Sequence, residues 1–539
     1  LGEAPIGFIA ILNSNIYFEF KVNTMNRIIH IAIILLLSCK LSAQKQPNIV
    51  FLLSDDQTSI ATGCYGNDQV VTPNMDQLAK DGVMFSNHYN TTSICMASRA
   101  IILTGMYEYK TGCNFMHGPL RKDKFAHSYP VIMQKHGYYT GFAGKFGLAV
   151  SDGASWDDKS WDVLPVDAFD NWAGGLGQTS YKTANNKYLA KYADKYPHSS
   201  RAYGAWAKDF IVEAKETGKP FCMSISFKAP HLPFTPDKYF DYVYKGKKYQ
   251  KPDNYGAENA EHLSAQAKSG RQYNSYNFWR DSEESYQEAI TKYNQLIHGV
   301  DYALGMIRKT LEEQGVADNT IIIFTSDNGY SCGAHSLAGK VLPYEEASKS
   351  PLIIFDPRTP KNKRGIKRET VTGNMDMAPT ILSYAGVDIP GNMDGKDLNP
   401  LINKPKKFKR GSIPLFNMWG NDEIQAMTVV SKDWKYIYWQ YADDKMEPAE
   451  ELFYVSKDRL EMTNQVNNPT FKKQLLKMRK QYDKQVKHIS KNALDHHDYQ
   501  KYATLFSRKA KAEDKKDYLT GTYEEMLIQQ KKKQAKKKK

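Results

Sequence analysis

Asn48-Ile-Val-Phe-Leu-Leu-Ser-Asp-Asp56 decides how this chain is read. Its apolar stretch is short, opens on β-branched residues and has no polar alternation. That pattern predicts a parallel strand buried on both faces. It stops on two adjacent carboxylates, and ligands in open α/β sheets bind at the carboxyl ends of strands. Three more runs repeat the pattern. Phe221–Phe227 leads into Ala229-Pro230-His231, Thr320–Thr325 leads into Ser326-Asp327-Asn328-Gly329, and Pro351–Phe355 follows. Ahead of the third run, Ile290, Tyr293, Ile297, Val300, Leu304, Ile307 and Leu311 recur every three or four residues, the spacing of one apolar helix face. Strands alternating with helices predict an α/β fold: a large, mostly parallel sheet flanked by helices.

The pattern changes near residue 400. Lys404-Pro-Lys-Lys-Phe-Lys-Arg410 reads as a linker, and Met427–Trp439 alternates around a Lys432-Asp433 turn, as an antiparallel hairpin would. The expected organisation is a main domain over 44–400, a smaller α+β domain with an antiparallel sheet over 401–515, and a disordered lysine-rich tail over 516–539. The polar stretch 240–285 reads as a surface insertion.

The chain has 539 residues, 41% hydrophobic and 24% charged, a globular balance that excludes a disordered, collagenous or multi-span membrane protein. Six cysteines are too few for a disulfide scaffold. Net charge is 73 − 59 = +14, and the lysines at 531–533 and 536–539 supply seven of the positive charges, so the folded body is only mildly basic. No nucleic-acid motif accompanies the tail. Near the start, Met25-Asn26-Arg27, the apolar run Ile28–Leu37 and the small-residue exit Ser38–Ala43 have the form of a secretory signal. Residues 1–24 read as upstream sequence outside the native protein, and 25–43 as the signal. Leu41-Ser42-Ala43 suits ordinary cleavage, the favoured reading. Leu36-Leu37-Ser38-Cys39 resembles a lipoprotein box, which would tether the protein to a membrane through Cys39. The expected location is the periplasm, or the cell surface if the lipid is present.

The strand ends carry the chemistry. Asp55, Asp56, Asp327 and Asn328 are hard oxygen donors from separate strands, the set a divalent cation such as calcium or magnesium takes. Taken singly, each pair reads more simply as a helix or turn cap. Ser93-Ile-Cys-Met-Ala-Ser-Arg99, followed by Leu103-Thr-Gly105, shifts the balance.

Here the sequence resembles the type I sulfatases of the alkaline phosphatase superfamily, whose motif is Cys-x-Pro/Ala-Ser-Arg followed by Leu-Thr-Gly. Further matches follow in order: Thr72-Pro-Asn-Met-Asp76, Ala229-Pro-His-Leu-Pro233, Ser326-Asp-Asn-Gly329, Lys340 with Tyr344-Glu-Glu346, Asp394-Gly-Lys-Asp-Leu398 and Glu451-Leu-Phe453. The resemblance spans roughly residues 46–480. It implies an alkaline-phosphatase-like fold, oxidation of Cys95 to formylglycine by a formylglycine-generating enzyme, and one calcium ion (magnesium as the alternative) held by Asp55, Asp56, Asp327, Asn328 and the modified residue 95. It also implies that Arg99, Lys145 and Lys340 clamp oxygens of the sulfate and of the modified residue, and that His231 protonates the leaving alkoxide. In the implied reaction one hydroxyl of the hydrated aldehyde attacks sulfur, and the other then expels sulfate.

One departure stands out. The family reads Gly-Lys-Trp-His-Leu-Gly where this chain has Gly144-Lys-Phe-Gly-Leu-Ala149, so its histidine is replaced by Gly147. Either another residue substitutes, with His117 the candidate, or the hydrated aldehyde loses its proton through water; His335 is a further candidate on the substrate side, with a structural role the alternative. The expected substrate is a sulfated polysaccharide or oligosaccharide, with a marine algal polysaccharide such as ulvan first. The alternatives are phosphonate or phosphodiester hydrolysis and a glycan-binding protein without catalysis. Trp161, Trp172, Trp206 and Trp279 are candidates to border the cleft. Cys64, Cys113, Cys222 and Cys332 allow three full pairings, although Cys222 in its apolar strand also reads as a plain small hydrophobe.

Overall fold

The computed structural model describes residues 46–152, 163–442 and 446–521, with residues 525, 528, 531 and 532. The export signal, Cys39, Trp161 and most of the lysine tail lie outside these residues.

The main sheet uses β1 (Asn48–Ser54), β2 (Val83–Phe85), β4 (Tyr139–Lys145), β5 (Asn171–Gly175), β6 (Phe221–Ser226), β7 (Thr320–Ser326), β8 (Leu352–Phe355) and β9 (Ile366–Arg368). Two short strands, β3 (His88–Tyr89) and β10 (Thr372–Gly373), pair separately. The main order is β5-β4-β6-β1-β7-β8-β2-β9. The five strands from β5 to β7 are mutually parallel, so their carboxyl ends open onto one edge. The fourth apolar run is the exception. β8 is antiparallel to β7, with Ile323 opposite Ile354. Its connection, 327–351, contains only the four-residue helix Glu345–Ser348, too little for a parallel crossover.

The unbroken apolar character of β1 is explained by two cores. Val50 and Leu52 face one that includes helices Ser199–Glu216 and Glu283–Glu313. Ile49, Phe51 and Leu53 face the other, with helices Cys95–Thr104 and Met377–Tyr384. Full burial of each such side chain contributes about 1.5–3 kcal/mol.

The C-terminal region is a four-stranded antiparallel sheet of β11 (Ser412–Asn417), β12 (Ala426–Ser431), β13 (Lys435–Trp439) and β14 (Ala449–Phe453). Helix Lys472–Asn492 covers one face through Leu475, Met478, Tyr482 and Ile489. Ile437 and Trp439 on the other face meet Leu337, Val341 and Leu342, beside Lys340. Lys435, fully buried, bonds Glu345 and Glu461 at 2.8 Å each across this junction.

Two expectations are corrected. The segment 240–285 is not a loose surface insertion: Phe240, Ala260, Ala267 and Trp279 are fully buried. Cys64, Cys113, Cys222 and Cys332 are all free thiols, so none of the three pairings forms. Cys222 is buried in β6 as a small apolar side chain. Among the described residues no helix is long and apolar enough to cross a membrane.

Glu108 ties the C-terminal segment to the main body. It accepts from Tyr499 at 2.9 Å and from Asn114 at 2.6 Å. Burial pushes its carboxyl up to about 7 from 4.5, with those hydrogen bonds opposing. A raised value favours the protonated form in the folded state, so its contribution is whole below the unfolded value and fades as pH rises through the folded one. Thermal melts should show wild type losing stability relative to Glu108→Gln between about pH 5 and about pH 8.

Candidate functional site

The parallel register brings the chemistry-bearing ends together. β1 lies between β6 and β7, with Ser54 opposite Ser326, so Asp55-Asp56 and Asp327-Asn328 leave adjacent strands at the same level. Asp56 takes a left-handed backbone, φ 68°, an unusual conformation for a residue other than glycine and one common at functional sites. It is pinned there: its N–H donates to Asp327 Oδ1 at 3.1 Å, and its carbonyl accepts from the Tyr293 hydroxyl at 2.7 Å.

Cys95 opens the helix Cys95–Thr104, in which every residue is buried. Its Sγ lies 3.2 Å from Asp55 Oδ1, 2.7 Å from Lys340 Nζ, and 3.4 Å from both Lys145 Nζ and Asn328 Nδ2. Lys145, the last residue of β4, pairs with Asp55 at 2.5 Å, and Lys340 pairs with Asp56 at 2.5 Å. Arg99, one helical turn after Cys95, donates through Nε to Asp327 at 2.8 Å and through Nη1 to the carbonyl of Lys145 at 2.6 Å and to Ser226 Oγ. His231 follows β6; its Nδ1 meets the Leu232 carbonyl at 2.6 Å and its Nε2 lies 3.6 Å from Asp56. A carbonyl only accepts, so Nδ1 carries the proton in the neutral ring.

Three buried carboxylates and three cations thus surround one thiol. Burial alone would push Asp55 up, but Lys145, His231, Arg99 and Lys340 together hold it well below its ordinary value. Burial lifts Asp327 to about 6 against the pull of Arg99. Burial, reinforced by Asp327 and Asp55, lifts the Cys95 thiol to about 12, so the unmodified sulfur is a poor nucleophile. Burial lowers His231 to about 4, with Asp55 and Asp56 opposing.

The donor set fits a hard divalent cation. Ligand atoms of Asp55, Asp56, Cys95 and Asp327 lie within 4.8 Å of one another. The buried Oδ1 of Asn328 has no hydrogen-bond partner, a neutral oxygen donor left over at the same place.

Asp56, Cys95, His231 and Lys340 line a cavity of about 280 Å³, together with Gln178, Leu232, Arg271, Tyr276 and Trp419 among others. Arg99 is not on its wall; its guanidinium is turned to Asp327. The two other histidines lie elsewhere. His117 packs against the Tyr499 ring at a 40° tilt and bonds the carbonyls of His497 and Met418 and the Tyr502 hydroxyl. His335 is buried with its ring nitrogens on the carbonyls of Asn259 and Leu460. Trp172, Trp206 and Trp279 are buried core residues; the tryptophan on the cavity wall is Trp419. Sequence reading also missed Gln178, whose Oε1 accepts from Lys145 at 2.8 Å and whose carbonyl accepts from Lys228 at 3.0 Å. Gln178 sits in no motif and at the end of no apolar run, while Trp419 ends the run Ile413–Met418, whose strand-like pattern went unread.

Gly147 is explained by close packing. Its φ is +77°, and a Cβ there would stand 2.7 Å from Arg99 Cδ. Arg99 fills the space that a side chain at 147 would enter. Gly147→Ala should therefore cost at least about 1–2 kcal/mol in denaturant unfolding, from the left-handed backbone alone, and should also disturb the Arg99–Asp327 pair.

Comparison with known proteins agrees with this architecture. The sulfatase family profile matches residues 47–387, and that of the N-sulphoglucosamine sulphohydrolase C-terminal region matches 333–488. An N-acetylglucosamine-6-O-sulfatase of Bacteroides thetaiotaomicron is 27% identical over 458 residues, 74% of this chain and 78% of that protein. An ulvan-active sulfatase of Formosa agariphila is 27% identical over 455 residues, 79% of this chain and 77% of that protein. A solved structure described as a complex with its substrate D-glucosamine-2-N,6-O-disulfate superposes with a TM-score of 0.68 at 24% identity, covering 84% of this chain and all of that one. With the family profile spanning the sheet and every strand end that carries the site, the chain belongs to the sulfatase family of the alkaline phosphatase superfamily, the sulfuric ester hydrolases.

Proposed function

We propose that the protein is an exported, periplasmic sulfatase that hydrolyses sulfate esters of a sulfated polysaccharide or oligosaccharide, with ulvan the first candidate among algal substrates. The observation that carries the reading is Cys95 at the mouth of a buried helix, within reach of Lys145, Lys340 and three strand-end carboxylates. The names of the relatives support a sulfated glycan, and an ulvan-active enzyme is among them.

Asp55, Asp56, Asp327 and Asn328 would hold a calcium ion, or magnesium, which when bound supplies Lewis-acid neutralisation of the sulfate. Conversion of Cys95 to formylglycine by a maturation enzyme supplies the nucleophilic hydroxyl and, in the second hydroxyl, the means of releasing sulfate. The chain's own residues do the rest. The three carboxylates and the three cations of the centre balance, so a bound dication leaves a positive surplus for an anionic ester. Lys340 and Lys145 orient residue 95 and neutralise charge on the oxygens near it. Arg99 acts through Asp327, fixing that carboxylate rather than touching the sulfate. His231 points Nε2 into the cavity, and a bound anion beside the ring raises its affinity for the proton that the departing alkoxide needs.

The test is production with and without a formylglycine-generating enzyme, with peptide mass spectrometry at residue 95 and ion chromatography of released sulfate. Sulfate release should follow the modified fraction, vanish in Cys95→Ala and fall with chelator. Release by a protein that keeps an ordinary thiol at 95 would sink the mechanism. Phosphonate and phosphate esters assayed in parallel should turn over far more slowly. His231→Ala should slow hydrolysis of sugar sulfates by about 10²–10⁴-fold. It should slow an aryl sulfate with an acidic phenol much less, because that leaving group needs no proton.

A further inference from the structure

We propose that the cavity mouth is an anion subsite, formed by Arg271 with Tyr276 and faced by Trp419, which takes a second negative group carried by the substrate beside the scissile sulfate. This rests on the sulfatase reading and narrows its substrate to a glycan with two anionic groups, the second a carboxylate or another sulfate ester.

Among the described residues that line the cavity, Arg271 is the one charged side chain outside the central cluster. Arginines elsewhere in the chain that are held in place by the fold pair with acids, as in Arg201–Asp237, Arg308–Asp81 and Arg410–Asp376, or are tied to backbone carbonyls, as Arg280 and Arg364 are. Arg271 pairs with no carboxylate among the described residues. It is exposed, and its guanidinium is held instead by Tyr276, donating through Nη2 to the hydroxyl and standing 5.1 Å from the ring centroid. A phenol neutralises no charge, so the fork keeps its charge for a ligand, and its geometry matches carboxylate or sulfate oxygens two at a time.

The support for this arginine is itself constrained. Tyr276 takes a left-handed backbone, φ 59° and ψ 45°, a costly conformation for an aromatic residue. Its ring edge lies over Gly339, where a Cβ would be 3.8 Å from Tyr276 Cε2. Gly339 is the neighbour of Lys340, the cation nearest Cys95. Arg271 is thus linked to the reacting centre through Tyr276 and Gly339. Gln272 stands beside Arg271 on the cavity wall. It is 5% exposed, and its Oε1 is buried without a hydrogen-bond partner. Half-buried Trp419 offers an apolar face to the sugar ring.

The test uses matured full-length enzyme and three probes: a monosulfated disaccharide with an adjacent uronate, its carboxyl-reduced neutral counterpart, and the neutral disaccharide bearing a second sulfate. Wild type should prefer at least one dianionic probe over the neutral one by about 10–100-fold in kcat/KM, the scale of hydrogen bonds to a charged group. Which dianion is preferred identifies the second group. Arg271→Ala should abolish the preference through KM, and Arg271→Lys should restore part of it. Equal rates on all three probes, or a preference that survives in Arg271→Ala, would overturn the subsite while leaving sulfate hydrolysis intact. Absence of sulfate release from every probe would remove the parent reading and the subsite with it. If Arg271→Ala melts early, the wild-type preference is read against ionic strength instead: it should shrink as salt rises, and a salt-independent preference would overturn the proposal.

Discussion

Three carboxylates cannot be buried and ionised with oxygens within 4.8 Å of one another unless opposite charge is buried with them. Asp55, Asp56 and Asp327 meet that condition through Lys145, Lys340 and Arg99, each delivered by a different element. Much of the fold follows from it. The parallel run of β4, β6, β1 and β7 puts the acids and Lys145 on one edge, and the helix that begins at Cys95 brings Arg99 back to the same edge. The division between Asp55, held ionised, and Asp327, lifted by burial, reflects how many cations each one faces.

The C-terminal sheet is part of this arrangement. One face packs on its own helix and the other on the loop that carries Lys340, with Lys435 buried between Glu345 and Glu461. A lysine fully withdrawn from water is tolerable here because Glu345, held below its ordinary value by Lys349 and Lys435, neutralises it, while burial beside Glu345 pushes the second carboxyl, Glu461, up to about 8. The loop bearing Lys340 is therefore held from both sides, by the main sheet and by the C-terminal one.

Much of the fold and the centre of the site were legible in sequence because both depend on local signals. Apolar runs that end on acids mark buried strands and their ligand edge, and the Cys-x-Ala-Ser-Arg turn marks the helix start. Three kinds of feature were not legible. The direction of β8 depends on how its connection returns, which composition does not encode. His117 and His335 were chemically plausible, but their partners come from residues more than 70 positions away in sequence. Tyr276, Gln178 and Trp419 come from irregular segments, and Arg271 from the four-residue helix Arg271–Asn274, whose positions only tertiary packing determines. Gly147 was noticed as a departure, yet its reason, the proximity of Arg99, exists only in three dimensions.

Trp419 leaves the chain just after β11, more than 140 residues beyond Arg271, yet both border one cavity. The floor of that cavity is built from strand ends locked by mutual charge, whereas Arg271, Tyr276 and Trp419 at its rim form no ion pair with the charges of that lock. Evolution can exchange the rim piecemeal, altering which glycan is admitted, without renegotiating the reaction at the bottom. Such a division lets one scaffold serve many polymers, at the cost of making substrate identity the property least readable from the family signature.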